Sequence, residues 1–519
     1  MGAEPTTPRA RKEPWYRSPY GWVTTTYYAE GFPYMVVNGM AEVLFTELGA
    51  SLRTIGLTAL FHLPWNLKFA WAPFLDQYET KRRWLIGVEV ALSIVLLGLA
   101  ILGGTTTLLL GISIAFLVIA ILSATHDAAI DGYYMEGLDE DGQAKFVGYR
   151  AAAYRGATVV VSGPLLVLAE ETSWLVALLV TTAMMVALTV YHALALPKVE
   201  TRAAPIRGLA RAAVRPGVLG IAAALALAIA GITWLQRLGV FAPVGSALES
   251  VPLLGRLPGA GWIGLALLVV LVLVLTNLER VKAWLGRHDS AYAHAFVTFL
   301  DQPRMGRALA FILLFRTRES FLMKMRFVFL HREALMTKGT YGWVNGTLGL
   351  ATTAIATLIG GHLIQRHGLR RWIWPFLLAQ NVLNLSYWWL ASVDDPCLLP
   401  TGVLATVMTL EHFGAGLGTA VLMVYILRCA DPRHKAAHMA IVTSLMSLGF
   451  TLAGALSGDL AAAMGYPSYF LLTFVATIPS MILAFFVPHL DGRERVASAA
   501  EGGTSEAAEA TPSDDDPAR

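Results

Sequence analysis

The chain has 519 residues, of which 56% are hydrophobic and only 14% are charged. Soluble proteins average about 45–50% apolar and about 25% charged residues, so the composition argues against a soluble globular enzyme. It also argues against a disordered protein and, with 2 cysteines, against a secreted disulfide scaffold. The net charge of +3 does not indicate nucleic-acid binding, because basic residues of membrane proteins collect in cytoplasmic loops.

Apolar runs of about 20 residues, each long enough to cross the roughly 30 Å hydrocarbon core, recur about fourteen times. Long continuous runs predict helices, whereas the strands of a membrane barrel are short and alternate in polarity. The predicted membrane helices span 20–46, 52–74, 84–104, 106–135, 146–169, 173–196, 214–235, 258–279, 306–331, 341–364, 372–392, 398–428, 436–463 and 467–488.

The order of these helices predicts an all-α membrane protein built from two six-helix halves. Positive residues concentrate in alternate loops, which places both termini in the cytoplasm by the positive-inside rule. The predicted parts are an N-terminal tail (1–19), a six-helix bundle (20–198), a linker with two extra membrane helices (199–305), a second six-helix bundle (306–490) and a disordered tail (491–519).

A loop motif repeats after the second helix of each half. The first copy reads APFLDQYETKRRW (72–84) and the second reads GGHLIQRHGLRRW (360–372). The alternative is ordinary cytoplasmic anchoring charge, but recurrence at the same position in both halves favours a repeat, and related halves are typical of transporters whose site lies between them. We therefore predict gating roles for one set of residues: Lys68, Asp76, Arg82, Arg83, Gln365, Arg366 and Arg370.

The fourth predicted helix carries two acidic residues, Asp127 and Asp131, within HDAAIDGYYME (126–136). Their i, i+4 spacing puts both on one helical face. Two nearby carboxylates repel each other when both are ionised, so the pair is a candidate to carry a proton. For Asp131 a structural gate at the helix end is an equally good interpretation.

Further ionisable residues interrupt other apolar helices, where each charge costs about 2.5–3.5 kcal/mol at the bilayer centre. The seventh helix is basic, and its excess of positive charge suits an anionic substrate. The alternative is an amphipathic interfacial stretch, although apolar residues flank it on both sides. The predicted substrate-binding residues are Glu30, Arg316, Arg318, Glu319, Lys324 and His412, and Glu411 joins Asp127 and Asp131 as a proton-coupling residue.

Several motifs resemble a known family. The second loop copy follows G-x-x-x-D-R-x-G-x-R-R of the major facilitator superfamily, with Gln365 at the acidic position. GFPYMVVNG (31–39), LKFAWAPFLDQY (67–78) and HDAAIDGYYME resemble the AmpG-like muropeptide permeases and the related acetyl-CoA transporters. The resemblance implies a proton-driven inner-membrane importer of anhydro-muropeptides, with acidic motif positions at Asp127, Asp131, Glu319 and Glu411. His126, Glu30 and the basic seventh helix depart from the family pattern.

The predicted function is secondary active transport, with proton-coupled import of an anionic solute such as an anhydro-muropeptide. The alternatives are another anionic solute (an acyl-CoA, a siderophore or a peptide) or a non-transporting membrane receptor. The partners expected are the solute, protons and the lipid bilayer, with no nucleic acid, and the chain is expected to act as a monomer. No catalytic triad, H-E-x-x-H or P-loop motif is found, so we expect no enzyme activity, no cofactor and no metal.

Overall fold

A computed structural model describes residues 14, 17–68, 71–103, 109–198, 205, 273, 276–287, 297–302, 304–429, 435–488 and 490. The helix predicted at 214–235, most of the one predicted at 258–279, and the predicted tail 491–519 lie outside these residues. The side chains of two predicted gating and binding residues, Asp76 and Arg318, are also outside the description.

Every regular element of the described chain is a helix, which confirms the predicted all-α fold. The α-helices are α1 (Pro19–Met35), α2 (Ala41–Glu47), α3 (Leu52–Leu57), α4 (Leu63–Leu67), α5 (Ala72–Gln77), α6 (Lys81–Leu102), α7 (Leu109–Gly137), α8 (Glu140–Ser162), α9 (Pro164–Glu171), α10 (Trp174–Ala195), α11 (Leu278–Leu285), α12 (Met305–Arg332), α13 (Lys338–Tyr341), α14 (Leu350–His367), α15 (Leu369–Val382), α16 (Leu385–Ala391), α17 (Thr401–Cys429), α18 (Lys435–Val475) and α19 (Ile478–Leu483).

All twelve helices predicted for the two halves coincide with helical residues. Within the described residues, seven helical stretches are long and apolar enough to cross a membrane by length and composition. Large apolar side chains stand exposed along them, such as Ile101 (70%), Leu110 (75%) and Leu358 (74%). Exposed apolar side chains in such numbers are unusual for a protein in water and fit a lipid-facing surface. The total of fourteen membrane helices stays a prediction.

The first two helices of the chain are irregular. The sequence predicts a local break at Gly31 and Pro33, but α1 runs through both residues and continues as a π-helix, Val36–Met40, before α2. The following segment contains a 3₁₀-helix, Thr58–His62, between α3 and α4. A π-helix also occupies Gly342–Gly349, directly after α13. Such irregular turns occur often at functional sites.

Side-chain caps explain where several helices begin. Ser51 accepts a hydrogen bond from the backbone N–H of Thr54, and Thr337 accepts one from Thr340. Each cap satisfies a backbone donor that the first turn of a helix leaves open. Ser51 and Thr337 start the second helical segment of each half, so a Ser/Thr-x-x-Thr cap recurs there in addition to the repeated loop.

The described residues form two compact units. Unit 1 comprises the described parts of Met1–Gly261 together with Lys324–Thr347 and Gly458–Ala463, and unit 2 comprises those of Trp262–Met323, Leu348–Ser457 and Met464–Arg519. In unit 1, α1 packs along α8, and α6 packs against α7 and α10. In unit 2, α17 packs against α14 and α15 over a core that includes Phe311, Leu377 and Tyr425.

Candidate functional site

Five charged side chains converge inside unit 1. They come from α1, from the residue after α4, from α7 and from α8, and we call them the charged cluster: Glu30, Lys68, Asp127, Asp131 and Arg150. Lys68 Nζ lies 2.7 Å from Asp127 Oδ2, and Arg150 Nη2 lies 2.9 Å from Asp131 Oδ1. One oxygen from each of the three carboxylates lies within 4.8 Å of the others.

Helix geometry explains why the two aspartates share the cluster. Asp127 and Asp131 are one turn apart on α7, so they face the same side of that helix. The hydroxyl of Tyr27 on α1 donates a hydrogen bond of 2.9 Å to Asp131 Oδ1. The guanidinium of Arg150 lies 4.4 Å from the centre of the Tyr27 ring, close enough for a cation–π contact. Tyr27 and Arg150 together therefore hold Asp131 from two other helices.

Close packing of α1 on α8 brings Glu30 into the cluster. A Cβ added at Gly31 would lie 2.8 Å from the carbonyl oxygen of Tyr154, so only glycine permits this approach. Glu30 Oε2 is buried and has no hydrogen-bond partner among the described residues. The cluster as a whole holds three carboxylates and two cations, which leaves one negative charge when all are ionised.

Partly exposed aromatic rings of α1, α4 and α8, with His62, lie beside the charged cluster, and we call them the aromatic group: Tyr34, His62, Trp65 and Tyr154. The Tyr34 ring lies 5.1 Å from that of Trp65 and 5.8 Å from that of Tyr154, and His62 stacks on Trp65 at 5.5 Å. Asn38 in the first π-helix fixes His62, since its Oδ1 lies 3.0 Å from His62 Nδ1. The π-helix thus orients one member of the aromatic group.

The structure separates the basic residues predicted to bind substrate together. Arg316 pairs at 2.7 Å with Glu319 on its own helix, within unit 2. Lys324, in unit 1, lies 3.7 Å from Glu42 and donates a hydrogen bond to Thr58 Oγ1. The carboxylates nearest to these two cations are thus Glu319 and Glu42.

The residues predicted on the tenth helix lie in unit 2. Glu411 is buried on α17, at 4% exposure. The neighbouring His412 contacts Thr353 of α14, with 3.2 Å between Nδ1 and Oγ1. A Cβ at Gly416 would lie 2.5 Å from the carbonyl oxygen of Thr353. The glycines here allow close helix packing, as expected for small residues at a membrane helix interface.

The predicted gating residues occupy different environments. Arg82 donates hydrogen bonds to the carbonyl oxygens of Ala193 and Leu196 at the end of α10. Arg83 pairs with Glu79 on the surface. Lys68 belongs to the charged cluster rather than to the loop. Three other predicted gating residues are exposed: Gln365 and Arg366 near the end of α14, and Arg370 in the first turn of α15.

Sequence reasoning missed several buried or paired ionisable residues. Glu89 lies in an apolar run, VEVALSIVLLG (88–98), and a lone carboxylate inside a membrane helix is itself the signal that was available. Arg150 was one of two candidate arginines in the repeated Tyr-Arg pairs at 149–150 and 154–155, and only its contact with Asp131 separates them. Glu47 and Lys338, 2.6 Å apart, lie close to predicted loops and carried no sequence signal.

Comparison with known proteins finds similar chains among membrane transporters. Residues 304–512 match the model of the Major Facilitator Superfamily. A protein of Haemophilus influenzae is 27% identical over 90% of this chain and 93% of its own length. The anhydromuropeptide permease of Escherichia coli (strain K12) is 24% identical over 88% of this chain and 77% of its own length. The chain is therefore similar to AmpG-like transporters of the major facilitator superfamily.

Solved structures of transporters have a similar fold. A POT family transporter in complex with 5-aminolevulinic acid superposes with a TM-score of 0.62 at 14% identity, covering 91% of this chain and 96% of that one. The nucleoside transporter NupG superposes with a TM-score of 0.53 at 12% identity, covering 90% of this chain and 98% of that one. The superpositions show that the chain shares the fold of these two transporters.

Proposed function

We propose that this protein imports an anionic solute of the anhydro-muropeptide class across the bacterial inner membrane, driven by protons. The observation that carries the proposal is the charge balance of the charged cluster. Three carboxylates face two cations in unit 1. A single net negative charge away from water is costly, and one bound proton removes it.

Asp127 and Glu30 are the proposed proton carriers within the cluster. Asp131 has Arg150 and Tyr27 as partners, whereas Glu30 Oε2 has no hydrogen-bond partner among the described residues. Asp127 depends on Lys68. A proton on Glu30 or Asp127 neutralises the cluster. A proton on Asp127 also removes the charge that holds Lys68, and its release restores the ion pair. Such a change alters the ion pairs between helices, which is the kind of event that biases a two-state transporter.

The aromatic group supports the proposed substrate class. Muropeptides combine a sugar, which packs on flat aromatic rings, with a peptide that carries carboxylates. Partly exposed rings beside cationic side chains provide for both parts. The permease of Escherichia coli with which this chain shares 24% identity is named for anhydromuropeptides, which supports the same class.

The test is uptake of a labelled anhydro-muropeptide into proteoliposomes with an imposed pH gradient, inside alkaline. We expect uptake by the natural protein and a loss of gradient-driven uptake in Asp127→Asn. Exchange of substrate at equal pH should survive in Asp127→Asn if the residue carries the proton rather than the substrate. Asp394→Asn, a change at an exposed loop aspartate, is the matched control.

Two outcomes would contradict the proposal. The first is that neither Asp127→Asn nor Glu30→Gln changes gradient-driven uptake, which would mean that the charged cluster does not couple protons to transport. Binding of the muropeptide without uptake or exchange by the natural protein favours a receptor over a transporter.

A further inference from the structure

A second group of ionisable side chains lies in the core of unit 1, apart from the charged cluster. It consists of Glu89 on α6, His126 on α7 and His192 on α10, and we call it the buried trio. All three side chains are 0% exposed. Glu89 Oε1 lies 3.1 Å from His126 Nε2 and 2.6 Å from His192 Nδ1. One carboxylate oxygen thus joins three helices.

The hydrogen bonds of the buried trio determine which ring nitrogens carry a hydrogen. An oxygen of an ionised carboxylate only accepts, so each of the two ring nitrogens that contact it must carry a hydrogen. His126 is therefore protonated at Nε2 and His192 at Nδ1. The remaining polar atoms, Glu89 Oε2, His126 Nδ1 and His192 Nε2, are buried and have no hydrogen-bond partner among the described residues. The open ring nitrogens are the places where a further proton can bind.

Charge accounting then decides how many protons the trio holds. With Glu89 ionised and both imidazoles neutral, the trio carries a net negative charge with no access to water. An uncompensated buried charge costs several kcal/mol. One additional proton on an imidazole makes the trio neutral, and a second would make it positive. The neutral form, with one imidazolium, is the form that a membrane interior favours.

The position of His192 points to the imidazole that takes the proton. His192 lies in the last turn of α10, where the helix dipole favours a positive charge. Its contact with Glu89 is also the shorter of the two, 2.6 Å against 3.1 Å. Charge-assisted hydrogen bonds are shorter than neutral ones. The proton is thus placed on His192.

No other charged group compensates the trio. The helices around it carry their own ionisable residues, and in the described part of the chain none of these contacts Glu89, His126 or His192. On α6, Arg82 bonds to backbone carbonyls of the α10 end; on α7 and after α4, Asp127 and Lys68 pair with each other. The remaining charged residues of α1, α6, α7, α9 and α10 are Glu30, Lys81, Arg83, Asp131, Glu136, Glu170 and Glu171. The side chain of Asp76 on α5 is outside the description.

We propose that the buried trio is a second proton-binding site, which holds one proton between Glu89 and His192 in the core of unit 1. His126 directly precedes Asp127 on α7, so the trio also fixes the helix that presents Asp127 to the charged cluster. The site stands on the contacts of α6, α7 and α10 and does not depend on which solute is transported.

The test is nitrogen NMR of the purified full-length protein in lipid nanodiscs, with ¹⁵N-labelled histidine rings. A free histidine loses its extra proton near pH 6.5. We expect one histidine to remain an imidazolium at pH 8, and its signal to disappear in His192→Asn and in Glu89→Gln. His126→Asn, which keeps a side-chain donor, should retain it. His367→Asn, at an exposed helix end, is the control for assignment.

The spectrum of the natural protein is decisive even if a variant fails to fold. The absence of any imidazolium at pH 8 overturns the proposal, as does a signal that survives Glu89→Gln in folded protein. Because this readout involves no substrate, its failure is distinct from a failure of muropeptide uptake.

Discussion

The fourth predicted helices of the two halves have the same length but make different kinds of contact. α7 and α17 are both 29 residues long, and both are apolar enough to cross a membrane. α7 carries Asp127 and Asp131 into a cluster of five charges. α17 carries Glu411 and His412, and a series of glycines that bring its backbone against α14 and α15. The comparison teaches that helices at the same position in two halves can differ in what they bring together: α7 gathers charged side chains, and α17 brings its backbone against its neighbours.

The largest effect is expected from removing the partner of Asp127. Lys68→Gln leaves that carboxylate without its 2.7 Å ion pair. We expect gradient-driven uptake to fall about thirtyfold, or roughly 2 kcal/mol, since removing one partner of a fully buried pair costs about 3–5 kcal/mol and Lys68 is partly exposed. Initial uptake rates in proteoliposomes measure this.

Two further lysine variants serve as controls for Lys68→Gln. Lys68→Arg keeps the charge and should recover most of the rate. Lys198→Gln removes an exposed lysine and should leave the rate unchanged. Equal losses of uptake rate in Lys68→Gln and Lys198→Gln would show that the ion pair between Lys68 and Asp127 of α7 has no specific role in transport.

A smaller effect, on stability rather than uptake, is expected at α17. In Gly416→Ala the new Cβ would lie 2.5 Å from the carbonyl oxygen of Thr353, so α14 and α17 must move apart. Overpacking costs about 1–3 kcal/mol, and the better helix propensity of alanine returns up to about 1 kcal/mol. We expect a net loss of about 1 kcal/mol in the free energy of unfolding, measured by denaturant titration in detergent.

Gly361 supplies the control for this prediction. It lies within α14, and a Cβ there meets nothing within 4 Å. Gly361→Ala should therefore leave stability unchanged or raise it. If Gly416→Ala instead raised the free energy of unfolding, close packing would not be the feature that distinguishes α17 from α7.

The smallest effect is expected from Glu411→Gln. Glu411 was predicted from the sequence to share in proton coupling, but it lies in unit 2, outside the charged cluster. We expect uptake to fall by less than about threefold, or about 0.7 kcal/mol. The measurement is the same gradient-driven uptake, compared directly with Asp127→Asn. A loss as large as that of Asp127→Asn would make the two fourth helices equal partners in coupling.

Much of the site was predictable where the signal is local. The i, i+4 spacing of Asp127 and Asp131 requires only a helix, and the cost of charge in lipid marks both as functional. The other members of the cluster, Glu30, Lys68 and Arg150, were not predictable because they lie outside α7. Several cations of the chain were possible partners for the two aspartates. The same reason hid the partners of two basic residues on α12: Arg316 pairs with Glu319, and Lys324 lies nearest Glu42.

The sequence by itself determined that this is a helical membrane protein and that it resembles AmpG-like transporters. These follow from hydropathy, which depends on composition along a single stretch of chain, and from short motifs. Only the tertiary structure decided that Glu89, His126 and His192 meet, or that Asp131 belongs with Arg150. Those contacts join residues up to 103 positions apart, and helix packing alone brings such residues within hydrogen-bonding distance.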